Sequence, residues 1–361
     1  PSYNRGKILL KTIKELLPSL GSEWPVLVVD NASTKDRGAY KEIEILAESS
    51  SCLYYFRHKK NGLFEGNLLS LFDLVQTQFF LVVSDEDFPS IEALDQMVPF
   101  LKNNRDIGGI RTSLGTLPGV QKGQAVTFKD THFSKGEGIS LFGLNGNYIT
   151  GQIYNAPLLN KLNIPQRLKR NIHANQWYPH LYLNVLAAAN SRTMLSSSIT
   201  CYEGTTDAYR PEETKDYFGP FSYGNRIDQF VALRNALIEA FKDSQNNTPE
   251  GGLNANGFYK TYIGLCSKYC SLVVRAQGRM YQNQMINLEF LSRSFIIFCL
   301  AAAEGMPLFE RVKEELATAV TQIMEQFLEA RFQMDKARTP TSFLDFSIKS
   351  ANYNVLGKIK K

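Results

Sequence analysis

The chain of 361 residues lacks the features that mark several classes of protein. Its five cysteines are scattered and form no CxxC pair, which excludes a disulfide framework and a cysteine-based zinc site and favours a reducing compartment. The longest strongly apolar stretch, Phe295 to Ala303, is about half the roughly 20 residues that cross a bilayer. The net charge is only +5, which excludes a dedicated nucleic-acid binder but suits anionic ligands or a membrane surface.

The patterns that are present predict two regions of different character. In the first third, short apolar runs alternate with helical periodicity, which is typical of βα units on a mostly parallel sheet with flanking helices. Asn4 is the expected N-cap of the first helix. From Arg226 onward four helical segments follow one another, at 226–244, 258–277, 280–304 and 307–335. We therefore predict an α/β domain over 1–225 and an all-α region over 226–361.

Acidic residues follow two of the predicted strands at the point where each strand ends. The strand 24–29 stops at Asp30, and the strand 79–83 runs into the sequence S-D-E-D, which contains Asp85 and Asp87. Because ligands of α/β sheets bind outside the carboxyl ends of strands, these acids are expected to share one cleft. Two carboxylates two positions apart suit Mg²⁺ or Mn²⁺ together with a diphosphate. The alternative is a solvated acidic turn, or a helix N-cap before Pro89.

Four motifs in this first part of the chain resemble the successive signatures of family 2 glycosyltransferases. They are P-S-Y-N-R at 1–5, V-L-V-V-D-N-A-S at 26–33, N-G-x-x-x-G-N at 61–67 and F-L-V-V-S-D-E-D at 80–87. The resemblance covers about 1–95, weakens toward 189, where N-Y-I-T-G-Q-I-Y-N (147–155) resembles the acceptor-side strand, and is absent after Arg226. The S-D-E-D form is most similar to bacterial members that build O-antigen, capsule or related surface glycans.

The resemblance implies a type A glycosyltransferase fold, Rossmann-like, with a mostly parallel mixed sheet, and transfer of a sugar from a nucleoside-diphosphate donor with inversion. It also implies roles for single residues. Asn61 would lie in the donor site, although a turn role is an equally good interpretation. The other implied roles are a border of the nucleotide pocket for Pro1, Tyr3 and Arg5, a contact to base or ribose for Asp30, and a Mn²⁺ or Mg²⁺ and diphosphate site for Asp85 and Asp87.

The general base that inversion requires is not evident, because no acidic residue occurs between Gly151 and Ala189. The titratable candidates there are His173 and His180, as bases or as metal ligands, although each could equally be a packed residue. Trp177 or Tyr178 could stack on a sugar. Asp87 completes the predicted catalytic group. The fallback bases are Asp130, Glu137 and Glu203.

These features predict a metal-dependent enzyme acting on a glycan or lipid-linked glycan. The expected location is the cytoplasm or the inner face of the cytoplasmic membrane. The basic and apolar faces of the helical region, the latter around 290–303, favour membrane contact or a homo-oligomer equally. The alternative function is a catalytically silent nucleotide-binding scaffold, which the missing acidic base motif favours. A further strand ahead of Pro1 is also expected from the turn-like opening sequence.

Overall fold

The structure is a computed structural model that describes residues 1–21, 23–117, 126–146, 148–170, 178–204, 223–247 and 255–282. The chain divides into two compact units. The first is essentially Pro1–Arg210, and the second contains the described C-terminal helices. The predicted fourth helical segment, 307–335, and nearly all of the third lie outside the described residues. The domain boundary at 225 stays a prediction.

The first unit begins with the predicted alternation of helices and strands. Apolar side chains recur every three or four residues along the first helix and bury Leu9, Ile13 and Leu16, as the helical periodicity requires. A 3₁₀ turn at Leu17–Ser19 ends that helix. The elements are α1 (Gly6–Leu16), β1 (Val26–Asp30), α2 (Arg37–Glu48), β2 (Leu53–Arg57) and α3 (Leu63–Leu74).

The rest of the first unit is built on longer-range strand pairing. Its elements are β3 (Phe79–Val82), β4 (Phe88–Pro89), α4 (Ile91–Asn103), β5 (Ile107–Thr116), β6 (Thr131–Phe133), β7 (Gln152–Asn155), α5 (Ala156–Lys161), α6 (Ile164–Arg170), α7 (Pro179–Asn190) and β8 (Arg192–Glu203). A π-helical turn, Ile139–Gly143, precedes β7. Helix α7 is buried along its whole length from Pro179 to Ala189, which indicates a central helix of the unit.

The strands form a parallel pair, β1–β2, and a six-stranded sheet of order β3-β7-β5-β8-β4 in which β6 pairs with β8. In the larger sheet β5 and β8 are parallel, whereas β7 runs antiparallel to both β3 and β5. The α/β class is therefore confirmed, with more antiparallel pairing than the alternation of elements indicates. The sequence pattern misses this because β7 enters the sheet after a long irregular segment.

The carboxyl ends of β1 and β3 are linked through the N-terminal residues. Ser2 forms a parallel bridge with Asp30, and its amide donates to the Val29 carbonyl at 2.9 Å. Below this point the two strands line a cavity of about 580 Å³ together with α1 and α3. Its walls are mainly apolar, and Ser84, Asp85 and Asp87 of the segment after β3 also line it. The expected strand ahead of Pro1 concerns residues outside this chain and stays a prediction.

The second unit contains two long described helices, α8 (Tyr223–Asn247) and α9 (Ala255–Gln282). They agree with the first two helical segments predicted for this region. Aromatic rings pack between them, with Phe241 and Phe258 centred 4.6 Å apart and Phe230 and Tyr269 5.9 Å apart. Among the described residues no helix is long and apolar enough to cross a membrane.

Candidate active site

The acidic turn after β3, defined here as Ser84 to Asp87, is enclosed rather than open to solvent. Asp87 has no exposed surface and Asp85 is 6% exposed. This burial disagrees with the alternative of a solvated acidic turn that the sequence left open. In the structure the N-terminal segment covers one side, and residues from two distant parts of the chain cover the other. Buried carboxylates must be paired or hydrogen-bonded, and both of these are.

Asp85 is held by the N-terminal segment. The Arg5 guanidinium lies 2.6 Å from Asp85 Oδ1 and 2.7 Å from Glu86 Oε2, so one cation serves two neighbouring acids. The Ser2 hydroxyl donates to Asp85 Oδ2 at 2.9 Å, and the Thr12 hydroxyl of α1 donates to the Asp85 carbonyl at 2.9 Å. These contacts fix both the side chain and the backbone of the turn to the start of the chain.

Asp87 is held by neutral donors. Its Oδ2 accepts from the Tyr148 hydroxyl at 2.8 Å and the Thr150 hydroxyl at 2.5 Å. Its Oδ1 accepts from the Gly204 amide at 3.0 Å. The pairing of β4 with β8, in which Phe88 lies opposite Tyr202, brings Gly204 to the turn. The segment that precedes β7 and the end of β8 therefore meet at one carboxylate.

Burial perturbs the acid strength of both carboxyls. Burial raises the pKa of Asp85 to about 8, against the opposing effect of the Arg5 cation. Burial also raises the pKa of Asp87 to about 6, while the hydrogen bonds from Thr150, Gly204 and Tyr148 act to lower it. Strongly perturbed carboxyls that lie together on one turn are typical of functional sites.

Asp30 lies at the end of β1, as predicted, but its carboxylate is bound toward β2. Its Oδ2 accepts from Tyr55 and Arg57, each at 2.9 Å, and its Oδ1 accepts from the Ser33 amide at 2.8 Å. It has no exposed surface. The three predicted acids therefore end at neighbouring strand tips but are held by three different sets of residues, and a joint role in binding a nucleotide stays a prediction.

The remaining residues predicted for the donor site lie nearby in the fold. Pro1 lies at the edge of the apolar cavity, and Tyr3 is 37% exposed. Asn61 uses its side-chain oxygen to accept from the Asn31 side chain at 2.9 Å and from the Leu63 amide at 2.8 Å. These contacts order the start of α3, which agrees with the turn role weighed for Asn61.

Of the two histidine candidates, the structure describes only His180, and its side chain is buried. His173 and Trp177 lie outside the described residues. His180 is 1% exposed at the start of α7, with the rings of Phe64 and Tyr178 centred 6.2 and 5.9 Å away. Burial and the nearby Arg111 guanidinium lower the pKa of His180 to about 3. His180 is thus a buried, packed side chain in this structure, and its role as a base or metal ligand stays a prediction.

Replacing His180 is expected to reduce the acid sensitivity of the fold. The unfolded chain binds a proton at His180 near pH 6.5, whereas the folded protein does so only near pH 3, so acidification between these values favours unfolding. When the pH is lowered from 7 to 4.5, the free energy of unfolding of the wild type should therefore fall by about 2–3 kcal/mol more than that of His180→Leu. Urea titrations at the two pH values measure it. Equal losses in both proteins would contradict the burial of a neutral ring.

The three fallback acids lie in different places. Asp130 accepts from the Ser197 amide of β8 at 2.7 Å, 67 positions away, whereas Glu137 accepts from the Ser134 amide at 2.9 Å within a local turn. Glu203 is 3% exposed at the end of β8 and directly precedes Gly204, the donor to Asp87. Of the three, Glu203 is the acid that the fold brings beside the acidic turn.

Comparison with known proteins identifies the domain. Residues 1–149 match the family model described as Glycosyl transferase family 2. The chain contains a family 2 glycosyltransferase domain. The predicted enzyme class is thereby confirmed, and the chain is a glycosyltransferase. No curated protein matches the sequence.

Solved structures confirm the type A fold of this glycosyltransferase. Residues 1–349 of TarS from S. aureus superpose with a TM-score of 0.55 at 14% identity, covering 99% of this chain and 90% of that one. A longer TarS structure gives 0.58 at 16% identity, covering 98% of this chain but 54% of that one. TarS 1-349 in complex with UDP-GlcNAc gives 0.51 at 15% identity, covering 97% and 89%. At such identities the likeness concerns the fold alone.

Sequence reasoning about the glycosyltransferase domain missed the residues that hold the acids. Tyr148 and Thr150 belong to the acceptor-side motif, and their spacing of two places them on one side of an extended segment, which was an available signal. Arg57 is the last residue of β2, and in the sequence it is a single charged residue with no pattern that links it to Asp30. Gly204 carries no local signal, because its role depends on the pairing of β4 with β8.

The donor set of the acidic turn fits a divalent cation that is completed by the substrate. Within the described ranges, no group of three or more His, Cys, Asp or Glu side chains is arranged to hold a metal ion. Asp85 and Asp87 offer hard oxygen ligands, which Mg²⁺ and Mn²⁺ prefer, and such ions are commonly bound by one or two carboxylates and phosphate oxygens. The Arg5 cation between Asp85 and Glu86 marks where the glycosyltransferase domain attracts positive charge.

Proposed function

We propose that this glycosyltransferase transfers one sugar from a nucleoside-diphosphate sugar to a hydroxyl of a glycan or lipid-linked glycan, with inversion. The single observation that carries the proposal is the pair of buried carboxylates, Asp85 and Asp87, at the end of β3 in a family 2 domain. The donor class is supported by the structurally similar TarS, which is solved in complex with UDP-GlcNAc. The likeness of the S-D-E-D turn to bacterial members favours assembly of surface polysaccharide such as O-antigen or capsule.

Asp85 and Asp87 are the residues that would hold Mn²⁺ or Mg²⁺. The bound cation would neutralise the charge that develops on the departing nucleoside diphosphate, which requires no proton from the protein. Arg5 lies against Asp85 and adds a fixed positive charge beside the same turn. Asp87 is held in one orientation by its three donors, and burial of the turn excludes bulk water from the carboxylates.

The proposal also includes a general base and a cellular context. Glu203 is the candidate base that lies beside the turn, and Glu203→Gln at saturating donor addresses it. An acceptor carried on a lipid diphosphate would bring the enzyme to the inner face of the cytoplasmic membrane, where basic residues of the C-terminal region add attraction. A homo-oligomer formed through that region is the competing use of its apolar faces.

A nucleotide screen is expected to reveal the donor class. We expect one of UDP, GDP, CDP and dTDP to raise the thermal midpoint of the full chain, and to raise it further with Mn²⁺, because only ligands of the native state stabilise it. At a concentration of 100 times Kd the stabilisation is about 2.7 kcal/mol. Differential scanning fluorimetry measures it. If no nucleotide shifts the midpoint with or without Mn²⁺, the proposed function is wrong.

The second candidate is a catalytically silent scaffold that binds the nucleotide without transferring sugar. The absence of acidic residues between Gly151 and Ala189 favours it, together with the burial of His180. The two candidates differ in turnover. Binding of a nucleotide-sugar with neither transfer nor slow hydrolysis of the donor would support the scaffold, whereas release of the nucleoside diphosphate supports the enzyme.

A further inference from the structure

The Asp87 carboxylate is held by three donors from parts of the chain that are distant in sequence. The Tyr148 and Thr150 hydroxyls both donate to Oδ2, and the Gly204 amide donates to Oδ1. These partners lie 61, 63 and 117 positions away along the chain. Both oxygens are thus oriented, and the side chain cannot rotate without breaking at least one buried hydrogen bond.

All three donors are electrically neutral, in contrast to the partner of the neighbouring acid. Asp85 is paired with the Arg5 guanidinium at 2.6 Å, so much of its charge is already balanced. Within the described part of the chain, Asp87 has hydrogen bonds but no ion pair. Neutral donors fix the direction of a carboxylate without cancelling its charge, which leaves that charge available to a cation. The charge of Asp85 is therefore balanced by a cation, whereas Asp87 is oriented by hydrogen bonds from neutral donors.

The backbone around Gly204 is shaped to make its contact with Asp87. A Cβ atom at position 204 would overlap the backbone carbonyl oxygen of Glu86, so a side chain there would push the end of β8 away from the turn. The Tyr148 hydroxyl donates to Asp87 Oδ2 at 2.8 Å. Each of the three groups donates to the carboxylate.

We propose that Tyr148, Thr150 and Gly204 are positioning residues that hold the Asp87 carboxylate for the divalent cation. The inference rests on the proposed function and adds to it the residues that set cation affinity. Outer hydrogen bonds to a metal-binding carboxylate raise affinity by fixing its orientation, and their loss typically costs ten- to a hundredfold. The same hydrogen bonds from Tyr148 and Thr150 would connect the acceptor-side segment to the diphosphate end of the donor site.

The test compares Tyr148→Phe and Thr150→Val, each of which removes one hydroxyl and keeps the shape. Titration calorimetry with Mn²⁺, first alone and then with each of UDP, GDP, CDP and dTDP present, measures cation affinity in the full chain. We expect each variant to weaken Mn²⁺ binding, and the double variant to weaken it ten- to a hundredfold. Thr150→Ser keeps the hydroxyl and should retain wild-type affinity. Turnover should recover when the Mn²⁺ concentration is raised, because cation affinity is changed rather than the reacting groups.

Matched controls remove a tyrosine or threonine hydroxyl at positions away from the acidic turn. Tyr54→Phe and Thr77→Val each lose an exposed hydroxyl that bonds only to a nearby carbonyl, and should bind Mn²⁺ as the wild type does. If Thr150→Val does not fold, Tyr148→Phe and Thr150→Ser still decide the matter. Unchanged Mn²⁺ affinity in Tyr148→Phe and Thr150→Val overturns the positioning role alone. A wild type that binds Mn²⁺ in neither condition overturns the proposed function as well.

Discussion

Asp87→Asn is expected to lower the rate of sugar transfer by at least about 10³-fold, because the cation loses a charged ligand and its Lewis-acid effect is worth several kcal/mol. The substitution should leave the fold intact. The hydroxyls of Tyr148 and Thr150 can rotate to accept from the new amide, while its oxygen still accepts from the Gly204 amide. Release of nucleoside diphosphate from a nucleotide-sugar measures the rate, and circular dichroism checks the fold.

Asp106→Asn is the matched control for this prediction. Asp106 pairs with Arg192 on the surface, where its side chain is 61% exposed, and lies outside the acidic turn. Its removal should change neither rate nor stability appreciably, because exposed ion pairs contribute little. Asp85→Asn should also lower turnover. Wild-type turnover in both Asp85→Asn and Asp87→Asn would rule out the cation site at this turn.

Arg5→Met is expected to destabilise the fold by about 3 kcal/mol, because it leaves two adjacent acids without their shared cation in a buried setting. The side chains of Arg5 and Asp85 are 15% and 5% exposed, so solvent screens the pair only weakly. The loss should be larger at pH 9 than at pH 6. At the lower pH a proton on Asp85, whose pKa burial already raises to about 8, replaces part of the missing positive charge. Chemical denaturation at both pH values measures this difference.

A double-mutant cycle identifies the cause of the Arg5 effect. If the lost charge pairing is responsible, Arg5→Met with Asp85→Asn should be less destabilised than the sum of the two single variants, by about 1 kcal/mol or more. Lys11→Met is the control, since Lys11 and Glu15 form a distant, well-exposed pair at 3.9 Å. It should change stability by less than about 0.5 kcal/mol. Strict additivity in the cycle would contradict a shared cation.

The different treatment of the two acids has a functional consequence for the proposed cation site. Asp85 is paired with Arg5 from the start of the chain, and Asp87 is oriented by neutral groups that precede β7 and follow β8. A cation that binds at the turn would therefore be attracted mainly by the charge of Asp87, because the charge of Asp85 is largely balanced by Arg5. The expected effects of Asp87→Asn on turnover and of Arg5→Met on stability follow from this asymmetry.

Local patterns in the sequence predict the elements of the first 90 residues well, because periodicity and strand length are local properties. The predicted strand 79–83 becomes β3 over Phe79–Val82, and the helical pattern after position 4 becomes α1. Capping was predicted less well. Asn4 is not the N-cap of α1: it has a left-handed φ of 58°, and its side chain accepts from the Thr34 and Lys35 amides. Arg5 takes the N-cap position.

By itself the sequence determined that this protein has an α/β domain of the family 2 type and that Asp30, Asp85 and Asp87 follow buried strands. Only the tertiary structure decided how each acid is used. Asp30 is bound toward β2, Asp85 is paired with Arg5, and Asp87 is held by Tyr148, Thr150 and Gly204. The reason is physical: burial and hydrogen bonding at these carboxylates depend on groups 25 to 117 positions away, and no local pattern in the sequence specifies which of them meet.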